Sequence, residues 1–351
     1  MVTFSSFTAT NSNFSRGYAP QGAFLHADSL YGEIVAIQNC RIENYGSTSP
    51  TQTLIELNSG WLYVSDTVFN NISMPLIQLQ ATSAIFENVT INQVTCTSSS
   101  YSFCILQGTA MSLGISDTTI TDVVSNADLI VLNSPGSNTT IDGMEVNGVT
   151  TTLTSTKNNL KQLFALRLYS APQVVVENSV FESFINFSSI IVEKSVFQLS
   201  GSKFSNQNSR RLLFGLDAEL ETNLGESTQS TNESSKISAP AETPSDAEFS
   251  QFLIFTTSNA TITKSSFSYN SGAPLVNGGA MKILGDSSTT GNYQILNSTF
   301  TGNQGYQGGA ISVQGPFNSL TIESSNFTSN AAETSGGSIY FANSSNLKFP
   351  C

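Results

Sequence analysis

Apolar and polar positions in this chain alternate in short runs that return at intervals, and no segment carries a capped 3.6-residue period. The one candidate for a helical turn lies near Lys157–Leu166. Recurrence is plainest toward the C-terminus, where Phe267-Ser-Tyr-Asn270, Phe300-Thr-Gly-Asn303 and Phe327-Thr-Ser-Asn330 line up. Each is followed by a glycine pair and then small and apolar residues: Gly278-Gly279-Ala280-Met281, Gly308-Gly309-Ala310-Ile311 and Gly336-Gly337-Ser338-Ile339. A weaker copy, Asn13-Phe14-Ser15 followed by Gly22-Ala23-Phe24, stands near the N-terminus.

The middle keeps the frame without the glycines. Phe14, Ile42, Phe69, Ile91, Ile120, Val146, Phe181, Phe204, Phe267, Phe300 and Phe327 serve as anchors, 22 to 35 residues apart except for one interval of 63. Five residues before each anchor after the first sits an apolar residue, from Ile37 and Val64 to Ile295 and Ile322. Three before sits Asn11, Asn39, Asp66, Asn88, Asp117, Gly143, Asn178, Gly201, Lys264, Asn297 or Ser324. Asn, Asp and Gly accept a left-handed backbone at low cost, so each repeat reads as strand, bend and second short strand. Several short strands per repeat and no helix indicate an all-β fold, a single-stranded right-handed parallel β-helix of about 10–12 coils. Stacked at about 4.8 Å, the coils make a rod roughly 50 Å long. A sandwich of antiparallel strands would not require the same bend residue three places before the same anchor.

The 63-residue interval from Phe204 to Phe267 contains an insertion. Its core, residues 217–249, is rich in Ser, Thr and Glu with no aromatic before Phe249, a composition expected to stay disordered. The chain thus divides into coils over 1–216, an acidic loop over 217–249, and further coils over 250–351. Arg210-Arg211 just before the loop reads as a solvated pair of charges, with proteolytic processing as the alternative. Leu347-Lys348-Phe349-Pro350-Cys351 begins another coil and stops, so the sequence is expected to be part of something longer.

Composition alters this picture in one respect. Only 11% of residues are charged, yet the formal net charge is −12. Asp217–Phe249 holds eight acidic residues against Lys236 alone, so most of the acidity belongs to the loop. The rod is nearly neutral, as expected where equivalent residues stack about 5 Å apart and like charges repel by about 1 kcal/mol even in water. A nucleic-acid partner is excluded by the shortage of clustered Lys and Arg. No run of 18 apolar residues exists, and Met1–Phe14 lacks the basic and apolar regions of a signal peptide. Any membrane attachment would therefore come through parts absent from this chain.

Catalytic and metal-binding signals are sparse. His26 is the only histidine; Asp66 and Asp117 occupy bend positions where Asn serves in other repeats. Asp122 and Asp142 do not converge with them by spacing, and no acidic cluster can be set beside Arg41 or Arg167. There is no phosphate-binding glycine loop and no metal-spaced Cys/His set, so no cofactor and no catalytic residue is assigned. Cys96 and Cys104 share one Ser-rich loop and would close it in an oxidising compartment; as free thiols they would be small core or surface residues. About ten Asn-X-Ser/Thr sequons occur, among them Asn71, Asn138, Asn232 and Asn343, little above what this composition supplies by chance.

The F-x-x-N and G-G-A/S-I/M motifs of Phe267–Ile339 resemble the repeat of chlamydial polymorphic outer membrane proteins, which is similar to repeats in large surface proteins of protists. The likeness is partial at Phe14–Phe24 and degenerate between. It implies a right-handed β-helix displayed outside the cell and used in adhesion, exported in bacteria by a C-terminal barrel, of which this chain has no segment. The expected function is a non-catalytic extracellular surface or scaffold segment meeting glycans or cell-surface proteins. The competing expectation is a polysaccharide lyase or glycoside hydrolase of the pectin-lyase-like class.

Overall fold

The computed structural model describes residues 6–17, 24–27, 34–47, 52–98, 100–133, 138–152, 163–185, 187–207, 253–256, 259–272, 276–285 and 291–342. The acidic loop, Arg210-Arg211, the chain end from 343 and most of the expected helical turn lie outside them. The described end of that turn is extended instead, within the strand Phe164–Tyr169. Leu166 and Leu168 face inward there, so burial of alternate residues decides for a strand.

Every strand pairing is parallel, and the chain winds as a right-handed parallel β-helix of eleven coils. Each coil contributes three strands, and the last two add a fourth, Gln304–Gln307 and Ala331–Ser335, which pair with each other in a separate small sheet. The first carries the apolar residue five before the anchor, as in Gln173–Glu177; the second carries the anchor, as in Val180–Glu182; the third follows, as in Ser188–Glu193. Eleven second strands, from Asn13–Ser15 to Asn326–Thr328, form one sheet. First and third strands form a single larger sheet, because Ile77–Glu87 and Phe103–Ser116 run unbroken from the third strand of one coil into the first of the next. Successive coils stay in register, so Ile262, Ile295 and Ile322 stack, as do Phe267, Phe300 and Phe327.

Sharp corners separate the strands. The residue three before each anchor has a positive φ in all eleven coils, from Asn11 at 50° through Asn39, Asp66, Asn88, Asp117, Asn178 and Asn297 to Ser324 at 50°. A second left-handed column lies two residues after each anchor and includes Arg16, Asn44, Asn71, Gln93, Tyr269 and Gly302. Between the two columns lie only four residues in each coil, three of them in the strand, which is why the second sheet is narrow. In the C-terminal coils a third corner falls on Gly278, Gly308 and Gly336, with φ of 77°, 73° and 68°. A Cβ on Gly309 would lie 2.1 Å from the Gly337 carbonyl oxygen, and one on Gly279 would lie 2.3 Å from that of Gly309. Backbones pass so closely there that only glycine fits.

The interior is organised in columns. Phe181, Phe204, Phe267, Phe300 and Phe327 stack with centroids 4.9, 5.2, 4.6 and 4.7 Å apart and planes within 5° of parallel. Such offset stacks add about 0.5–1.5 kcal/mol per pair beyond burial. Beside them runs an asparagine ladder: Asn270 Nδ2 donates to Asn303 Oδ1 at 3.0 Å, and Asn303 Nδ2 to Asn330 Oδ1 at 2.9 Å. Under the first corner Ser179, Ser202, Ser265, Ser298 and Ser325 form a hydroxyl ladder. Each hydroxyl donates to the carbonyl two residues earlier. Each also accepts an N–H from the coil before, as Ser202 does from Ser179 at 3.1 Å. Toward the N-terminus Thr67 and the buried free thiol of Cys40 take the same position. Among the described residues these ladders place Ser and Asn, in the positions where charge would repel, at the corners of the coils.

Candidate functional site

The carboxylates at the bends serve the corners. Asp66 Oδ1 accepts Asn88 Nδ2 at 2.7 Å, and Asp142 Oδ1 accepts Asn178 Nδ2 at 2.9 Å. The carboxylates of Asp117 and Asp122 lie over Gly143 and Gly148, where an added Cβ would come within 2.8 and 3.3 Å of them. His26 Nδ1 lies 3.2 Å from Glu56 Oε2 on neighbouring third strands. Among the described residues no three of His, Cys, Asp and Glu gather as a metal site.

Arg41 and Arg167 do have acidic partners, contrary to the reading from spacing. Arg41 Nε lies 2.5 Å from Glu43 Oε2 on the same strand. Arg167 sits between coils, with Nε 2.7 Å from Asp128 Oδ2 and a terminal nitrogen 3.4 Å from Glu193 Oε1. These partners are 39 and 26 residues away in sequence, one coil apart in the stack, and so invisible to local spacing. Asp128 is nearly enclosed; its other oxygen accepts the Phe164 N–H at 2.8 Å, and the guanidinium lies 4.8 Å from the Phe164 ring centroid. By bridging Asp128 and Glu193, the single guanidinium ties the third strands of three successive coils together. Beside it Lys194 Nζ donates to Tyr169 Oη at 3.0 Å, and this hydrogen bond and the ammonium charge hold the phenol below the ordinary tyrosine range.

Cys96 and Cys104 are joined by a disulfide with Cα atoms 5.7 Å apart, closing the loop between a second and a third strand. Tyr101 is tucked into that loop, where burial raises its pKa, and lines a shallow hydroxyl-rich cleft with Ser73, Thr95 and Thr97. Of the sequons, Asn71 stands exposed at the second corner, donating to Asn44 Oδ1 at 2.7 Å. Asn138 begins the strand Asn138–Asp142, while Asn232 and Asn343 lie outside the described residues.

One further feature carries no signal in the sequence. On the outer side of the first strands, Ile34 pairs with Trp61 and Tyr63 with Ile85, and Ile34, Trp61 and Ile85 are 51%, 49% and 41% exposed. Tyr63 Oη donates to Glu87 Oε2 at 3.0 Å. Alternation marks these residues as outward only once the inward set, Val35, Leu62 and Val64, is fixed by the frame.

No family model and no curated protein matches this chain. The solved structure of the Streptococcus pneumoniae surface protein and adhesin PfbA superposes with a TM-score of 0.33 at 9% identity, over 97% of this chain and 92% of that one. At that identity and superposition, the functional reading rests on this chain's own residues.

Proposed function

We propose that this chain is a non-catalytic segment of an extracellular surface protein, a rigid rod that displays its outer faces for adhesion. It is similar in motif to the polymorphic outer membrane protein repeat. One observation carries the reading: among the described residues internal ladders take up the Ser and Asn of the corners, while Ile34, Trp61 and Ile85 stand exposed on one outer face. A catalyst concentrates unsatisfied polar groups in a concave site, whereas a display rod hides them and presents a surface. The disulfide fits an oxidising compartment. An antibody raised against the folded chain should label intact, unpermeabilised cells that produce it, and purified chain should block their attachment to surfaces. Labelling confined to the interior of permeabilised cells would defeat the proposal.

A polysaccharide-cleaving enzyme is the second reading. The grouping of Tyr169, Lys194, Arg167 and Glu193 favours it, since a phenol held below its usual pKa beside cations can accept a proton from a sugar carbon.

A further inference from the structure

On the first face Trp61 stands half exposed, and the partly exposed Tyr63 beside it reaches the next coil through its hydroxyl. Trp61 and Tyr63 alternate along one strand, so both project outward, about 7 Å apart along the chain. Coil stacking sets Ile34 one spacing before Trp61, and Ile85 one spacing after Tyr63. The next residue beyond Ile85 in that column is Gly114, so nothing rises beside the rings on that side. Along the flank runs a polar row from Gln38 through Ser65 to Glu87, with the Glu87 carboxylate already turned toward the Tyr63 hydroxyl.

We infer that this surface, built on Trp61 and Tyr63, is a binding platform for a neutral polysaccharide. The inference rests on the display reading above and names the ligand class of that face. Three features select this occupant. A row of ring and aliphatic surfaces on one outer face matches the C–H faces of pyranose rings, and the Gln38 amide, Tyr63 hydroxyl and Glu87 carboxylate beside it match their hydroxyls. Coil spacing of about 4.8 Å places successive contacts at about the length of one sugar unit. Three exposed apolar side chains and the partly exposed Tyr63 cover far less than the roughly 800 Å² per partner of a stable protein interface, which disfavours a protein or a second copy of the chain. Glu87 is the charge of that row nearest the rings, and the row runs on through Ser116 to Asp142 and Glu177, so an acidic polymer would be repelled.

Trp61 is the only tryptophan in the chain, so its fluorescence reports this site alone. The full chain is titrated with soluble starch, mixed-linkage β-glucan, arabinoxylan, galactomannan and, as acidic counterpart, pectate. Binding is measured in parallel by affinity electrophoresis. The expected result is a saturable change in Trp61 emission with at least one neutral polymer and little with pectate. Trp61→Ala and Tyr63→Ala should each weaken retardation about tenfold or more, as loss of one stacked ring predicts. Val196→Ala, at an exposed position on the same face five coils on, should leave it unchanged. Circular dichroism of each variant checks that the coils are intact. No saturable change with any neutral polymer, a preference for pectate, or retardation unaffected by both aromatic substitutions overturns the inference. None of these outcomes touches the non-catalytic reading, which fails only if a polymer is cut.

Discussion

Asn303 tests the claim that polar residues inside the rod are architecture. Its side chain is fully buried, and its Oδ1 accepts both the Asn270 N–H at 3.1 Å and the Asn270 amide at 3.0 Å. Its own amide donates to the Phe267 carbonyl at 3.0 Å and to Asn330. Replacement by alanine leaves the two donors of Asn270 without this acceptor in a site closed to water. A buried donor left unpaired costs about 1–3 kcal/mol, so Asn303→Ala should destabilise the C-terminal coils by about 2–6 kcal/mol. Asn330 keeps the Asn303 backbone N–H at 3.0 Å and adds little to the loss. Asn326→Ala, outside on the neighbouring strand, should change stability by less than about 0.5 kcal/mol. Urea titration followed by circular dichroism gives the overall shift, and amide hydrogen exchange shows whether it is confined to coils around Asn270, as expected where repeats touch only their neighbours. Equal midpoints for the two variants, with undiminished protection at Asn270, would refute the reasoning.

Other consequences are local. Gly279→Ala forces a methyl group against the Gly309 and Gln304 carbonyls and should destabilise by about 3 kcal/mol or more in the same titration. Lys264 holds φ at 49° where neighbouring coils use glycine and asparagine, so Lys264→Asn should raise stability by about 0.5–1 kcal/mol. Cys96→Ser with Cys104→Ser removes a short cross-link and should cost about 2–3 kcal/mol, matched by reductant on the parent and absent from the variant. Lys194→Met removes the hydrogen bond and charge that favour the Tyr169 phenolate; its titration, followed by tyrosinate absorbance, should move up toward the ordinary range.

The fold was legible because stacking writes itself into sequence. Anchors such as Phe267, Phe300 and Phe327 share one interior column, so a β-helix repeats its apolar positions while its loops vary in length. The second corner was harder to read. Arg16, Gln93 and Tyr269 occupy left-handed positions that their residue types do not advertise, and the short turn is enforced by the strands on either side. Partnerships across coils were unreadable for a different reason. Arg167 meets Asp128 only after an interval of unequal length is wound into one coil, and no local spacing encodes that. Exposure of Trp61 is likewise a property of the finished face: the alternation that buries Leu62 and Val64 sends Trp61 and Tyr63 outward, and nothing local separates a display position from a covered one.

Whether the rod cleaves what it meets is the most direct test of the account. The full chain is incubated with pectate, alginate, xylan and β-glucan, with and without calcium, and new reducing ends and unsaturated uronates are measured over long times. The account predicts none above a heat-denatured control. Turnover that disappears in Tyr169→Phe or Asp128→Asn while the coils stay folded would contradict it.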